Sequence, residues 1–301
     1  MRVAVTGANG RLGRALIAAL ADAPFTGPAG PIAWSRADFD LDTPETATAL
    51  LDRDRPEVVV HAAAWSDVDG CALDPALALH RNGVATGVLA EACAAAAIDL
   101  LAISTNEVFG GLRNDHRGYE PDDPTAPGNA YGASKLEGER LATAAYQRAG
   151  SGNLGIARTA WLFGAPGRDF PSRILAAAER ASTAGEPLRA VADEWGTPTY
   201  VNDLAEAIVE LLAEDAVAGI HHLVNGQVAS RADWARDVVA RSGVAVETLD
   251  VPLTTWPRPS NPPAWGVLAP TALPSGEPLR PWPDAMADYA PALLRSVRAR
   301  A

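Results

Sequence analysis

Short β-branched runs alternate along this chain with longer segments in which apolar residues recur every three to four positions. Residues 2–6 (RVAVT) form the first such run and end at Gly7. Arg11 to Ala21 then places Leu12, Ala15, Leu16, Ala19 and Leu20 on one helical face. A Pro/Gly-rich loop follows, after which Ile32–Ser35 reads as a strand, Pro44–Leu51 as a helix and Glu57–Ala64 (EVVVHAAA) as a buried strand. The pattern continues with one long helix over Ala76–Ala97, a strand over Leu100–Thr105, a helix over Ala130–Ala149 and a strand over residues 155–164 (GIARTAWLFG). Strand and helix in alternation predict a parallel sheet covered on both faces and wound by right-handed crossovers.

The predicted fold class is therefore α/β, a Rossmann-like doubly wound parallel sheet with a smaller C-terminal substrate-binding lobe. Beyond about residue 156 the regularity weakens, and helices are expected at Ser172–Ala184, Val201–Ala213 and Arg231–Ser242. Segment 252–291 contains eleven prolines. It predicts a loop-rich lobe without long helices, packed through Trp256, Trp265 and Trp282. The expected division is a nucleotide-binding domain over 1–155 and a lobe over 156–301, with about 190–215 returning to the first domain.

Composition narrows the class. The chain has 301 residues, 48% hydrophobic and 21% charged. That is long enough for one large domain with a smaller lobe and too apolar for disorder. A formal charge of −12 argues against a basic surface for nucleic acid or anionic membrane. A phosphate-bearing ligand remains open to backbone amides and a few local arginines. The most apolar stretch, 84–103, is interrupted by Glu91 and Asp99, so no membrane span is expected. Cys71 and Cys93 make neither a disulfide framework nor a metal set, and they predict reduced, partly buried thiols in a cytoplasmic protein. MRVAVTGANG opens directly as strand and turn, without a signal-peptide pattern. A monomer or homodimer is expected.

One compositional fact points at chemistry. Of 25 basic residues, 24 are arginine and one, Lys135, is lysine. A sole surviving lysine marks a place where a compact ammonium cannot give way to a planar guanidinium. Tyr131 stands four residues before it, one turn away on the same helical face. The bare phenol has a pKa near 10, and a neighbouring ammonium would lower it. Tyr131 and Lys135 are thus candidate catalytic groups.

Two further motifs belong with them. In T-G-A-N-G-R-L-G, Gly7 permits a tight turn, Gly10 admits a pyrophosphate and Gly13 lets helix and strand pack closely, with the helix N-terminus supplying amide donors. The second strand ends Trp34-Ser35-Arg36 with no acid at its tip, so Ser35 and Arg36, with Arg11 nearby, favour the 2′-phosphate of NADP(H); NAD(H) is the alternative. At the C-terminal end of a parallel strand, Ser104-Thr105-Asn106-Glu107 offers a hydroxyl, Thr105, to a substrate carbonyl.

These motifs, with RPEVVVHAAAWSDVD, RTAWLFG, DEWGTPTYVNDLA and WPRPSNPPAWGVLAPTAL, make the chain resemble an extended short-chain dehydrogenase/reductase, and more closely the dTDP-4-dehydrorhamnose reductase family. The resemblance covers nearly the whole chain. It implies that Gly10, Arg11 and Leu12 bind the pyrophosphate, that Asp40 and Leu41 lie near the adenine, and that Ala62, Ala63 and Ala64 line the cofactor cleft. It further implies that Tyr131 donates a proton, Lys135 tunes it and holds the ribose, and Thr105 assists at the carbonyl. Asn106 and Trp161 would face a nucleotide-sugar substrate, Glu107 beside them would hydrogen-bond the sugar or a neighbouring arginine or serve as a base, and Arg258 would contact the diphosphate or form a structural salt bridge.

The activity implied is NADPH-dependent reduction of a C4 ketone, as in dTDP-4-dehydro-L-rhamnose to dTDP-L-rhamnose. Two departures matter. The family usually reads S-T-D-Y-V-F where this chain reads S-T-N-E-V-F, a pair also similar to the S-T-D-E-V-Y of sugar-nucleotide dehydratases. Some relatives bind magnesium through acids of the first helix, but Arg11 to Leu20 carries none, so no metal is expected. An epimerase or dehydratase on the same scaffold, and a non-catalytic regulatory subunit, are the competing readings.

Overall fold

The computed structural model describes residues 1–166 and 169–298. Its first part alternates β1 (Val3–Thr6), α1 (Arg11–Asp22), β2 (Ile32–Trp34), α2 (Ala47–Asp54), β3 (Val58–His61) and α3 (Val68–Leu73). A helical run follows as α4 (Pro75–Ala78), a π-wound turn (Leu79–Val84) and α5 (Ala85–Ala95), then β4 (Asp99–Thr105), α6 (Ala130–Ala149) and β5 (Leu154–Thr159). The second part holds β6 (Leu162–Phe163), α7 (Phe170–Ala184), β7 (Leu188–Val191), β8 (Trp195–Gly196), β9 (Thr199–Tyr200) and α8 (Val201–Ala213). It ends with β10 (Gly219–His222), β11 (Ala229–Ser230), α9 (Arg231–Ser242), β12 (Thr248–Val251) and α10 (Trp282–Arg298).

Six parallel strands form the central sheet in the order β10-β5-β4-β3-β1-β2. Successive strand residues point to opposite faces, so Val3, Val5, Val58 and Val60 pack with α1 and α8 on one side. Ala4, Val59 and Leu100 pack with α2, α5 and α6 on the other. The chain reverses direction across the sheet between β1 and β3. That is the switch point where doubly wound sheets open a crevice at their carboxyl ends. A second core gathers Phe163, Leu175, Trp234, Trp282, Met286 and Tyr289 from the later elements. Among the described residues no helix is long and apolar enough to cross a membrane. Both cysteines are free and buried.

Three expectations need correction. The helix expected over Ala76–Ala97 begins at Pro75, where Asp74 caps it, and its middle turn is π-wound. The strand expected over 155–164 breaks at Trp161, whose positive φ of 47° turns the chain. The proline-rich end does carry a long helix, α10, with Pro291 inside it. Proline removes one backbone donor there, but Ala285, Met286, Tyr289 and Leu293 are buried along one stripe of the helix, and this packing holds it. Trp265 and Trp282 are buried as expected, whereas Trp256 is 46% exposed beside Arg189.

Candidate active site

At the end of β1, Gly7 adopts φ +65°, and a Cβ there would come within 2.9 Å of Ala63 on the facing strand end. A Cβ at Gly13 would sit 2.1 Å from the Gly7 carbonyl, so α1 can lie this close to the loop only with glycine at that position. Gly10 caps α1 without a side chain, which leaves its first-turn amides facing the crevice. Arg11 donates to the Gly164 carbonyl and lies 3.4 Å from Asp169, tying the loop to the start of α7.

Beyond the loop lies a cavity of about 290 Å³ lined by Gly7, Asn9, Gly10, Arg36, Phe39, Asp40, Leu41, Ala62, Ala63, Ala64, Trp65 and Arg81. Ser35 does not reach it. Its hydroxyl donates to Asp38 at 2.8 Å, which corrects the expectation of a free donor at the strand tip. The rim is also not free of acids. Arg36 bridges Asp40 at 3.2 Å and Asp42 at 3.4 Å, and Arg81 binds Asp42 through two hydrogen bonds of 2.6 and 2.7 Å. The Arg81 hydrogen bonds hold the Asp42 carboxyl below its usual range. Arg81 also lies over the Trp65 ring at 5.2 Å. Asn9, Phe39, Trp65 and Arg81 were missed in the sequence, which carries no local signal that Trp65 and Arg81 converge.

A second cleft, of about 460 Å³, starts at the same glycine loop and runs across the ends of β4 and β5. Thr105, Asn106, Glu107, Tyr131, Lys135 and Trp161 all line it, with Arg11, Leu12 and Gly13. Asn129 caps α6 by accepting from the Gly132 amide at 2.8 Å, which sets the helix end that presents Tyr131. The Thr105 hydroxyl, on the same cleft as the Tyr131 phenol, donates to Asn106 Oδ1 at 3.3 Å and accepts from the Glu107 amide at 3.2 Å.

The expectation that Lys135 lowers the Tyr131 pKa is not met in this state. Burial, then the Glu107 charge, raise it, and the nearby Thr105 hydroxyl opposes them only in part. The phenol is therefore held protonated, as a proton donor must be. Lys135 is 5% exposed, and burial lowers its pKa to about 8 against the opposing pull of Glu139. Glu139 is itself clamped by Arg158 through bonds of 3.1 and 2.7 Å and accepts from Ser104. Among the described residues the Lys135 ammonium has no hydrogen bond or ion pair, and it faces the cleft. The Thr159 hydroxyl, also on the cleft wall, is buried without a hydrogen-bond partner among the described residues.

The Asn106 amide donates to the Gly266 carbonyl at 2.9 Å. An aspartate could not make this bond, which gives the departure at 106 a structural reason. On the far wall, the Arg231 guanidinium lies 3.5 Å from the centre of the Trp161 ring and binds Glu194 at 2.9 and 3.0 Å. Phe170 stacks on Trp234 at 4.6 Å. Arg173 lines the same wall, and no carboxylate among the described residues lies within ion-pair distance of it. Burial and the nearby Arg231 lower its pKa. Arg258, by contrast, does not line the cleft; it pairs with Asp69 at 3.0 Å. Arg173, Arg231, Asn129 and Asp169 were missed, although D-F-P-S and S-R-A-D are readable as capping boxes at the starts of α7 and α9.

A glycine loop at the switch point of a doubly wound sheet, with a Tyr-x-x-x-Lys helix across the crevice, defines a short-chain dehydrogenase/reductase of the extended type. Within that class the chain belongs to the RmlD substrate binding domain family, which matches residues 1–294. It is 34% identical over 297 residues to a dTDP-4-dehydrorhamnose reductase of Mycolicibacterium smegmatis, covering 97% of this chain and 86% of that one. It superposes on the crystal structure of a Clostridium acetobutylicum dTDP-4-dehydrorhamnose reductase with TM-score 0.87 and 28% identity, over 97% of this chain and 99% of that one. The Bacillus anthracis dTDP-4-dehydrorhamnose reductase in complex with NADP matches with TM-score 0.84 and 27% identity, over 96% and 98% of the two chains.

Proposed function

We propose that this protein reduces the C4 ketone of a dTDP-linked 4-keto-6-deoxy sugar, dTDP-4-dehydro-L-rhamnose in the first instance, with NADPH. The observation that carries the reading is the convergence of Thr105, Tyr131 and the unpaired Lys135 on one cleft continuous with the glycine loop. The NADP complex of the Bacillus anthracis relative supports the cofactor. When bound, the cofactor supplies a hydride. Gly7, Gly10, Arg11, Leu12 and Gly13 would hold its pyrophosphate, Arg36, Asp40 and Leu41 its adenosine end, Ala62–Ala64 the crevice wall, and Lys135 the ribose hydroxyls. The crowding at Gly7 and Gly13 and the unpaired ammonium fit such a group.

The chain's own chemistry is a proton transfer. Negative charge develops on the ketone oxygen, and Tyr131 delivers its phenolic proton there while Thr105 donates a hydrogen bond to the same atom. Burial keeps that proton on Tyr131 until the oxygen becomes basic enough to take it. The cleft's far end, with Arg173 and Arg231 above an aromatic floor, suits an anionic, ring-bearing nucleotide. Tyr131→Phe should lower single-turnover reduction by on the order of a hundredfold or more, the range for a positioned acid. Retention of more than a tenth of the wild-type rate would contradict the assignment.

A further inference from the structure

We propose that the Glu107 carboxylate receives a hydrogen-bond-donating group on C3 of the sugar, next to the ketone, and that this contact selects which 4-keto sugars are reduced; the inference rests on the reductase reading above. Glu107 lies on the turn that ends β4, and its amide donates to the Thr105 hydroxyl at 3.2 Å. Its carbonyl presses on α6, where a Cβ at Gly132 would sit 2.0 Å from it. Glu107, Thr105 and Tyr131 therefore line one cleft, and the Glu107 charge acts on the Tyr131 phenol.

The carboxylate is aimed. Its Oε2 accepts from Asn129 Nδ2 at 2.6 Å, and Asn129 is fixed in turn by capping α6 and by the Asn261 carbonyl at 3.1 Å. Among the described residues nothing bonds the other oxygen, Oε1, and Glu107 forms no ion pair. Arg231 and Arg258 act on it only at a distance, and Glu194 opposes them. Burial accordingly raises its pKa. A half-satisfied carboxylate in a cleft is costly unless a ligand completes it. On a 4-keto-6-deoxy hexose the ketone is flanked by C3 and C5. C5 carries the ring oxygen and the C6 methyl, neither a donor, so the donor next to the ketone is on C3, as a hydroxyl or an ammonium. Position 107 is also where the family resemblance leads one to expect tyrosine, which offers the cleft no carboxylate.

The test compares kcat/KM for three dTDP-4-keto-6-deoxy sugars bearing hydroxyl, amino or hydrogen at C3, in the wild type, Glu107→Gln and Glu107→Leu. The wild type should prefer a donor-bearing sugar over the 3-deoxy sugar by about 10- to 100-fold, the worth of a hydrogen bond to a charged acceptor. Glu107→Leu should reduce all three within about threefold of one another, by losing on the donor-bearing sugars. Glu107→Gln, isosteric and still an acceptor, should keep part of the gap and serves if the leucine variant does not fold. Whichever of hydroxyl and amino produces the gap identifies the donor. Equal wild-type rates on all three sugars, or an unchanged gap in both variants, would overturn the proposal alone. A wild type that oxidises NADPH with none of them would overturn the reductase reading as well.

Discussion

Lowering the pH to about 4.5 should remove about 5 kcal/mol of folding stability, through two buried histidines. His61 is 1% exposed and His222 is 0% exposed. Burial holds the first down to about 3, with Lys135 adding to the effect, and the second down to about 4, with Arg158 adding to it. Burial is the cause at both, and at His222 the backbone hydrogen bonds oppose it only in part. Thr6 Oγ1 accepts from the Ala63 amide and lies 2.8 Å from His61 Nδ1, while His61 Nε2 lies 3.2 Å from the Thr86 hydroxyl, which donates to the Asn82 carbonyl. His222 Nδ1 donates to the Ala269 carbonyl, and its Nε2 is buried without a partner among the described residues.

Both native values lie below the unfolded value of about 6.5, so the unfolded chain takes up protons first as pH falls. Stability is therefore intact above pH 6.5 and is lost downward from it. Two pH units below 6.5, each unfolded imidazole gains about 2.7 kcal/mol from protonation. The native state recovers almost none of this at His61 and little at His222. Urea titrations at about pH 7.5 and 4.5 measure the difference. A His61→Asn variant should be less stable at neutral pH and should lose about half of the pH dependence. A difference below about 2 kcal/mol in the wild type would refute the reasoning.

Two further outcomes follow from the site. Lys135→Arg should lose most turnover, because a bulkier fork cannot occupy this buried position without displacing its contacts; a variant that keeps more than half the wild-type kcat would refute the argument from the sole lysine. Arg36→Ala should narrow the NADPH preference in kcat/KM while moving stability by no more than about 0.5 kcal/mol, since Arg36 is 75% exposed and its ion pairs are at the surface; an unchanged cofactor ratio would remove Arg36 from the 2′-phosphate site.

The parts of this molecule legible in its sequence are those written at short range. The glycine loop and its helix, the strand run of Val58–Val60 and the i, i+4 pair Tyr131 and Lys135 need only local pattern, and the structure brings loop and pair to one cleft. What escaped depends on partners far apart in the chain. Arg258 meets Asp69 across 189 residues, and Asn106 meets Gly266 across 160. No periodicity announces such pairs. Ser35 misled for the opposite reason. The strand tip was read without the turn beyond it, where Asp38 folds back to take the hydroxyl. The helix α10 shows tertiary packing overriding a local breaker: four buried side chains hold Pro291 in a helix that composition alone argued against.

The central claim is that this cleft moves a hydride to C4 while Tyr131 supplies the proton. NADPH deuterated at the transferring position, incubated with dTDP-4-dehydro-L-rhamnose and followed by NMR of the product, tests it most directly. The account predicts one deuterium per product molecule, located at C4, formed with stoichiometric oxidation of the cofactor and slowed on the order of a hundredfold by Tyr131→Phe. Product without deuterium at C4, or solvent exchange at C3 or C5 with no net cofactor oxidation, would contradict it.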